Sequence, residues 1–123
     1  MPDGSRRLVG VVDDDDAVRD SLQFLLETAG FSVVSYSSAA HFLAEARTND
    51  LACLVVDQHM PDVTGLQLIT RLRGQGMTLP IALITGSPSA DLIRLAGELG
   101  VAWVLEKPLD DTALLDFLAR VGA

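Results

Sequence analysis

Five short apolar runs recur along the chain, each followed by a longer segment with helical spacing. The runs are residues 8–12, 32–35, 51–56, 80–84 and 101–105. Antiparallel strands can close with tight turns, whereas parallel strands need crossover connections, usually helices. An α/β fold follows, with a parallel sheet and helices on both faces. LVGVV and LACLVV are apolar or small at nearly every position, as strands buried on both sides should be. PIALI carries its proline at the start, where a missing donor is tolerated.

The intervening segments repeat with a period near 3.6. Val18, Leu22, Leu25, Leu26 and Ala29 share one face, and Gly30 supplies a stop. Leu66, Leu68, Ile69 and Leu72 predict a helix ending near Gly74. Leu92, Leu95, Ala96 and Leu99 predict another, closed by Gly100. Leu114, Phe117, Leu118 and Val121 predict the last, with Asp110 and Asp111 at its start, where the helix dipole favours anions. Residues 38–46 read as a shorter helix. The 123 residues carry no linker, low-complexity tract or internal repeat that marks a second domain.

Composition narrows the function classes. Nine Lys and Arg against 17 Asp and Glu give a net charge of −8. This balance argues against direct nucleic-acid binding by the chain and against anionic membranes. Cys53 is the only cysteine and cannot form an internal disulfide, which fits a reducing compartment. No apolar run approaches the roughly 18 to 20 residues needed to span a bilayer. The N-terminus, MPDGSRRLVG, lacks an apolar core of signal-peptide length. A cytoplasmic protein is the expectation.

In an open parallel sheet, ligands bind outside the carboxyl ends of the strands. The first run ends in Asp13 and Asp14, the third in Asp57, the fourth in Thr85, and the fifth in Glu106-Lys107-Pro108. If the first and third strands are neighbours, three carboxylates meet at one rim. Two such charges about 4 Å apart repel by about 4 kcal/mol at an effective dielectric near 20. A hard divalent cation such as Mg²⁺ would compensate them, with Lys107 as a second positive charge. These are the parts for phosphoryl transfer to a carboxylate. Asp57 stands alone at its strand end and is the natural nucleophile, while Asp13 and Asp14 are better placed as metal ligands.

VVDDDDAVRDSL, VVDQHMPDVTGLQL, ALITG and EKPL together resemble the receiver domain of two-component response regulators, particularly the nitrogen-fixation type. The resemblance covers residues 8–121, with 1–7 as a lead-in and 122–123 as a C-terminal end. It implies a flavodoxin-like sheet of order 2-1-3-4-5. It implies a signalling phosphoacceptor rather than an enzyme with an external substrate, phosphorylated on Asp57 by a histidine kinase or phosphotransfer protein with Mg²⁺ required. Asp14 would be a direct ligand and Asp13 an acidic partner acting largely through water. Asp57 and the backbone carbonyl of His59 would complete the protein's share. Lys107 would pair with the phosphoryl group, Thr85 would swing toward it, and the Lys107–Pro108 bond would be cis. A downstream effector, unidentified by the residues, would read the switched surface. A phosphorylation-linked homodimer through the last helix–strand–helix face stays open.

One departure stands out. The family often places an aromatic three residues before the lysine, and here that residue is Val104. Trp103 is adjacent, but strand alternation sends it to the opposite face. His59 and Ser87 lie where the family tunes phosphoryl lifetime.

Other residues have plainer readings. Asp15 and Asp16 suit a helix start. The ring of His59 is read as a solvent-exposed loop group, because no second histidine or cysteine has ligand spacing. His41 reads as a surface residue, Cys53 as core, Trp103 as packing, and Arg71 and Arg73 as a solvated helix face. Three other functions remain in competition. A constitutive interaction surface is one, motivated by Val104. An aspartate-nucleophile phosphatase would want a second acid where His59 stands. A flavin module would want a Ser/Thr/Gly-rich loop after the first strand.

Overall fold

The computed structural model describes residues 8–101 and 103–122, so the lead-in over 1–7 and residue 123 lie outside it. The apolar runs are strands β1 (Leu8–Val12), β2 (Ser32–Tyr36), β3 (Cys53–Asp57), β4 (Ile81–Thr85) and β5 (Trp103–Glu106). Helices α1 (Asp16–Thr28), α2 (Ala39–Glu45), α3 (Gly65–Gly74), α4 (Ala90–Glu98) and α5 (Asp111–Arg120) alternate with them. The sheet is parallel, in the order β2-β1-β3-β4-β5, as expected. Among the described residues, no helix is long and apolar enough to cross a membrane.

Alternation along the buried strands divides the core into two layers. Val9, Val11, Cys53, Val55, Ala82 and Ile84 face Leu22 and Leu26 of α1 and Leu114, Phe117 and Leu118 of α5. Val12, Leu54, Val56, Ile81 and Leu83 face Phe42 of α2, Leu68, Ile69 and Leu72 of α3, and Ala96 of α4. Both strand periods therefore bury apolar side chains, which is why the central strands read as continuous hydrophobic runs. Cys53 lies wholly inside the first layer, and burial pushes its thiol pKa up to about 12.

Helix starts are set by short polar side chains. Asp15 caps α1 by accepting from the Ala17 and Val18 N–H groups. Asp16 opens that helix and pairs with Arg19. Thr64 and Gln67 form a reciprocal capping box at α3. Asp110 caps α5. Gly30 and Gly100 follow their helices at φ 101° and 71°, left-handed conformations that glycine adopts without steric cost.

Several strand ends shift by one or two residues from the apolar runs, with β5 starting at Trp103 rather than at residue 101. Two further local features depart from expectation. A 3-10 turn over Thr48–Asp50 precedes β3, so the third strand starts at Cys53 rather than at residue 51. Arg73 does not belong to a solvated face. Its Nε donates to the Leu99 carbonyl at 2.7 Å, its Nη1 to Met77 and Leu79 at 3.0 and 2.9 Å, and its Nη2 to Gly100 at 3.3 Å. The fork thus ties the end of α3 to the end of α4 and to the segment entering β4. Arg73→Ala is expected to cost about 2 kcal/mol, because charge-assisted bonds are lost and carbonyls lose their donor. A lower urea midpoint at unchanged m-value would show it.

Candidate functional site

The strand order makes β1 and β3 neighbours, so both deliver carboxylates to one rim. The Asp13 N–H donates to the Tyr36 carbonyl at 3.1 Å, carrying the β1–β2 pairing one residue past β1. Asp57 ends β3, in register with Ile84 of β4. Thr85 ends β4 opposite Glu106, and its carbonyl accepts from the Lys107 N–H at 2.9 Å. The turn behind Asp57 is held close to the sheet. A Cβ on Gly65 would lie 2.8 Å from the Asp57 carbonyl oxygen and 2.7 Å from a Leu83 methyl. Only glycine admits this approach. Gln58 fixes the same turn, its side chain accepting from the Leu66 N–H at 2.9 Å.

Asp13, Asp14 and Asp57 each present an oxygen, and these oxygens all lie within 4.8 Å of one another. Asp13 and Asp57 are buried at 2% exposure and Thr85 at 0%, while Asp14 is exposed. Lys107 Nζ stands 2.8 Å from Asp57 Oδ1. Its own burial disfavours the ammonium. The hydrogen bond and charge of Asp57, reinforced by Asp13 and Asp14, outweigh that and raise the Lys107 pKa. The Asp13 pKa is also raised, first by burial and then by Asp57 and Asp14. The Asp15 N–H and Lys107 pull it the other way.

The Asp13 carboxylate is half satisfied. Oδ1 accepts from the Asp15 N–H at 2.9 Å, whereas Oδ2 is buried without a hydrogen-bond partner among the described residues. Three clustered carboxylates outweigh the Lys107 ammonium, which offsets Asp57 Oδ1 as an ion pair and leaves Asp13 Oδ2 unpaired. An oxygen-only donor set of this kind fits a hard divalent cation such as Mg²⁺. Arg19 backs the site without entering the cluster, donating to the Asp13 carbonyl at 2.6 Å.

His59 is exposed, but its ring is not idle. Nε2 lies 3.1 Å from Thr85 Oγ1, and the Ser87 N–H donates to that same oxygen at 3.1 Å. Sequence reasoning missed this contact and the Arg19 contact. His41 is a surface residue whose Nδ1 accepts from the Ser37 N–H at 3.2 Å. Val104 packs with the α2–α3–α4 layer and Trp103 with the α1–α5 layer. Trp103 stands edge-on to Phe117 at 6.3 Å, on the face expected from alternation. The Lys107–Pro108 bond is cis.

A parallel 2-1-3-4-5 sheet with an acidic cluster and a lysine at its carboxyl rim defines a class. The response regulator receiver domain profile matches residues 9–119, and the chain belongs to that family. It is a receiver domain of two-component response regulators, a class that binds Mg²⁺ in an acidic pocket. It is 44% identical to the transcriptional regulatory protein FixJ of Azorhizobium caulinodans over 107 residues, 87% of this chain and 51% of that protein. With FixJ of Rhizobium meliloti it shares 36% over 114 residues, covering 93% and 56%. These relatives support a place in the nitrogen-fixation-regulator-like subgroup. The chain spans about half the length of the curated relatives it matches. The crystal structure of FixJ-N superposes with a TM-score of 0.82 at 34% identity, covering 98% of this chain and 94% of that one. Vibrio cholerae chemotaxis protein CheY4 gives 0.87 at 27%, covering 95% and 99%.

Proposed function

We propose that Asp57 accepts a phosphoryl group in a Mg²⁺-dependent reaction and that the modification switches a partner-binding surface. The observation that carries this is the approach of Lys107 to Asp57 beside the Asp13–Asp14 pair. A carboxylate oxygen of Asp57 forms the new O–P bond as the donor's P–N bond breaks, and the departing imidazole of the kinase or phosphotransfer protein takes up a proton. Asp13, Asp14, Asp57 and the His59 carbonyl would hold the metal, which supplies charge to the phosphoryl oxygens when bound. Lys107 offers a second charge to those oxygens and Thr85 a hydroxyl. The chain turns over no external substrate in this reading.

The working unit is residues 8–121, acting in the cytoplasm, without binding nucleic acid itself. Transcriptional regulation by the relatives suggests an effector on the same polypeptide or on another. Exposed Ile93 and Leu95 on α4 support a phosphorylation-linked homodimer through the α4–β5–α5 face. Incubation with Mg²⁺ and a small acyl phosphate, followed by peptide mass spectrometry, should place one phosphoryl group on Asp57. An undiminished adduct in Asp57→Asn would sink the assignment.

Val104 favours a second reading, a constitutive surface with no switch. Amide exchange over residues 86–109 separates the two, since identical protection with and without a phosphoryl mimic would favour the constitutive form.

A further inference from the structure

Thr85 is wholly buried, and its hydroxyl is engaged from two sides. The Ser87 N–H donates to Oγ1 at 3.1 Å, and His59 Nε2 stands 3.1 Å from the same oxygen. A hydroxyl has one proton and two lone pairs. We propose that Thr85 gives that proton to His59 Nε2, so that the imidazole is a latch holding Thr85 in its resting orientation until a phosphoryl oxygen on Asp57 competes for it. The inference rests on the reading of Asp57 as phosphoacceptor and of Thr85 as the hydroxyl that turns toward the phosphoryl group.

The competition follows from the geometry. His59 lies two residues beyond Asp57 on the turn after β3, and Thr85 ends the adjacent strand β4. The latch therefore sits at the same rim as the acceptor. The Ser87 N–H occupies a lone pair and leaves the proton free, so the proton's direction is what distinguishes the two states. One proton cannot serve the imidazole and a phosphoryl oxygen at once.

The phosphoryl oxygen wins because hydrogen bonds to an ionised acceptor are about twice as strong as neutral ones. On release the costs are unequal. The His59 side chain is exposed and exchanges its bond for water, whereas buried Thr85 must find a protein or phosphoryl partner. His59 is thus a positioning residue that weights the equilibrium toward the resting arrangement before phosphorylation. A purely structural role would show as lost stability, whereas a latch shows as gained affinity for the phosphorylated-like state.

The experiment titrates the full chain with beryllium trifluoride in the presence of Mg²⁺ and follows bound ¹⁹F signal. His59→Ala removes the ring and keeps the backbone carbonyl. It should tighten uptake about three- to tenfold, the scale of one hydrogen bond, and the gain should vanish in a Thr85→Ala background. An equal gain in both backgrounds overturns the latch, as does no gain in either. Thr85→Ala opens a small void in a buried site, so a second measurement uses the unaltered protein. Long-range ¹H–¹⁵N spectra without beryllium trifluoride should show His59 Nε2 as an unprotonated acceptor, and a protonated Nε2 overturns the proposal. Failure of the unaltered protein to take up beryllium trifluoride at Asp57 would instead overturn the phosphoacceptor reading and the latch with it.

Discussion

Asp14→Ala should reduce Mg²⁺-dependent phosphorylation of Asp57 to background, while Asp16→Ala leaves its rate nearly unchanged. The two residues belong to one run of four aspartates, yet the fold gives them different work. Asp14 presents an oxygen to the cluster with Asp13 and Asp57, and its loss takes an oxygen and a charge from that cluster. Asp16 stands in the first turn of α1 with its side chain 88% exposed and paired to Arg19. Removing it forfeits a favourable helix-dipole interaction worth about 0.3–1 kcal/mol and leaves the cluster intact. Initial rates of adduct formation across a Mg²⁺ titration measure both variants. Equal losses would mean that the boundary between site and helix start has been drawn in the wrong place.

Asp13→Asn should stabilise the metal-free protein by about 1 kcal/mol, within the usual gain from a single favourable substitution, while eliminating stabilisation by Mg²⁺. Burial disfavours the ionised form of the Asp13 carboxylate, and Asp57 and Asp14 repel it. Asparagine keeps an oxygen for the Asp15 N–H and removes the charge. The pH dependence has a definite sign. A folded pKa raised above the unfolded value gives stability that is present below the unfolded value, near 3.8, and lost as pH rises through the folded one. The advantage of the variant therefore grows as pH rises through the folded value and shrinks on acidification. Mg²⁺ at tenfold excess over its Kd should stabilise the unaltered protein by about 1.4 kcal/mol. Thermal melts of both proteins, with and without Mg²⁺, read these differences. Lower metal-free stability in the variant would contradict the account.

Most of the frame was legible in the sequence because it rests on local signals. Apolar runs broken by helical periodicity specify β-α alternation, and capping residues such as Asp15 and Asp110 mark helix starts. The acidic cluster was legible because its members end strands, and strand ends in a parallel sheet share one rim. What escaped depends on contacts distant in sequence. His59 and Thr85 are separated by 26 positions, and no spacing rule connects an imidazole to a hydroxyl across adjacent strand ends. Arg73 likewise resembles a surface arginine until α4 places the Leu99 and Gly100 carbonyls within reach. The start of β3 was misplaced because Leu51 and Ala52 are apolar, while the 3-10 turn before them takes up the chain direction.

Cys53 offers a consequence for measurement. It is the only thiol in the sequence, it is wholly buried on a central strand, and its raised pKa disfavours the reactive thiolate. Labelling by a thiol reagent therefore requires the sheet itself to part, and under rapid reclosing its rate reports the free energy of that opening. The chain thus carries a native clock for its own cooperative breathing. A metal or a phosphoryl group bound at the rim should slow that clock even though neither touches the sulfur.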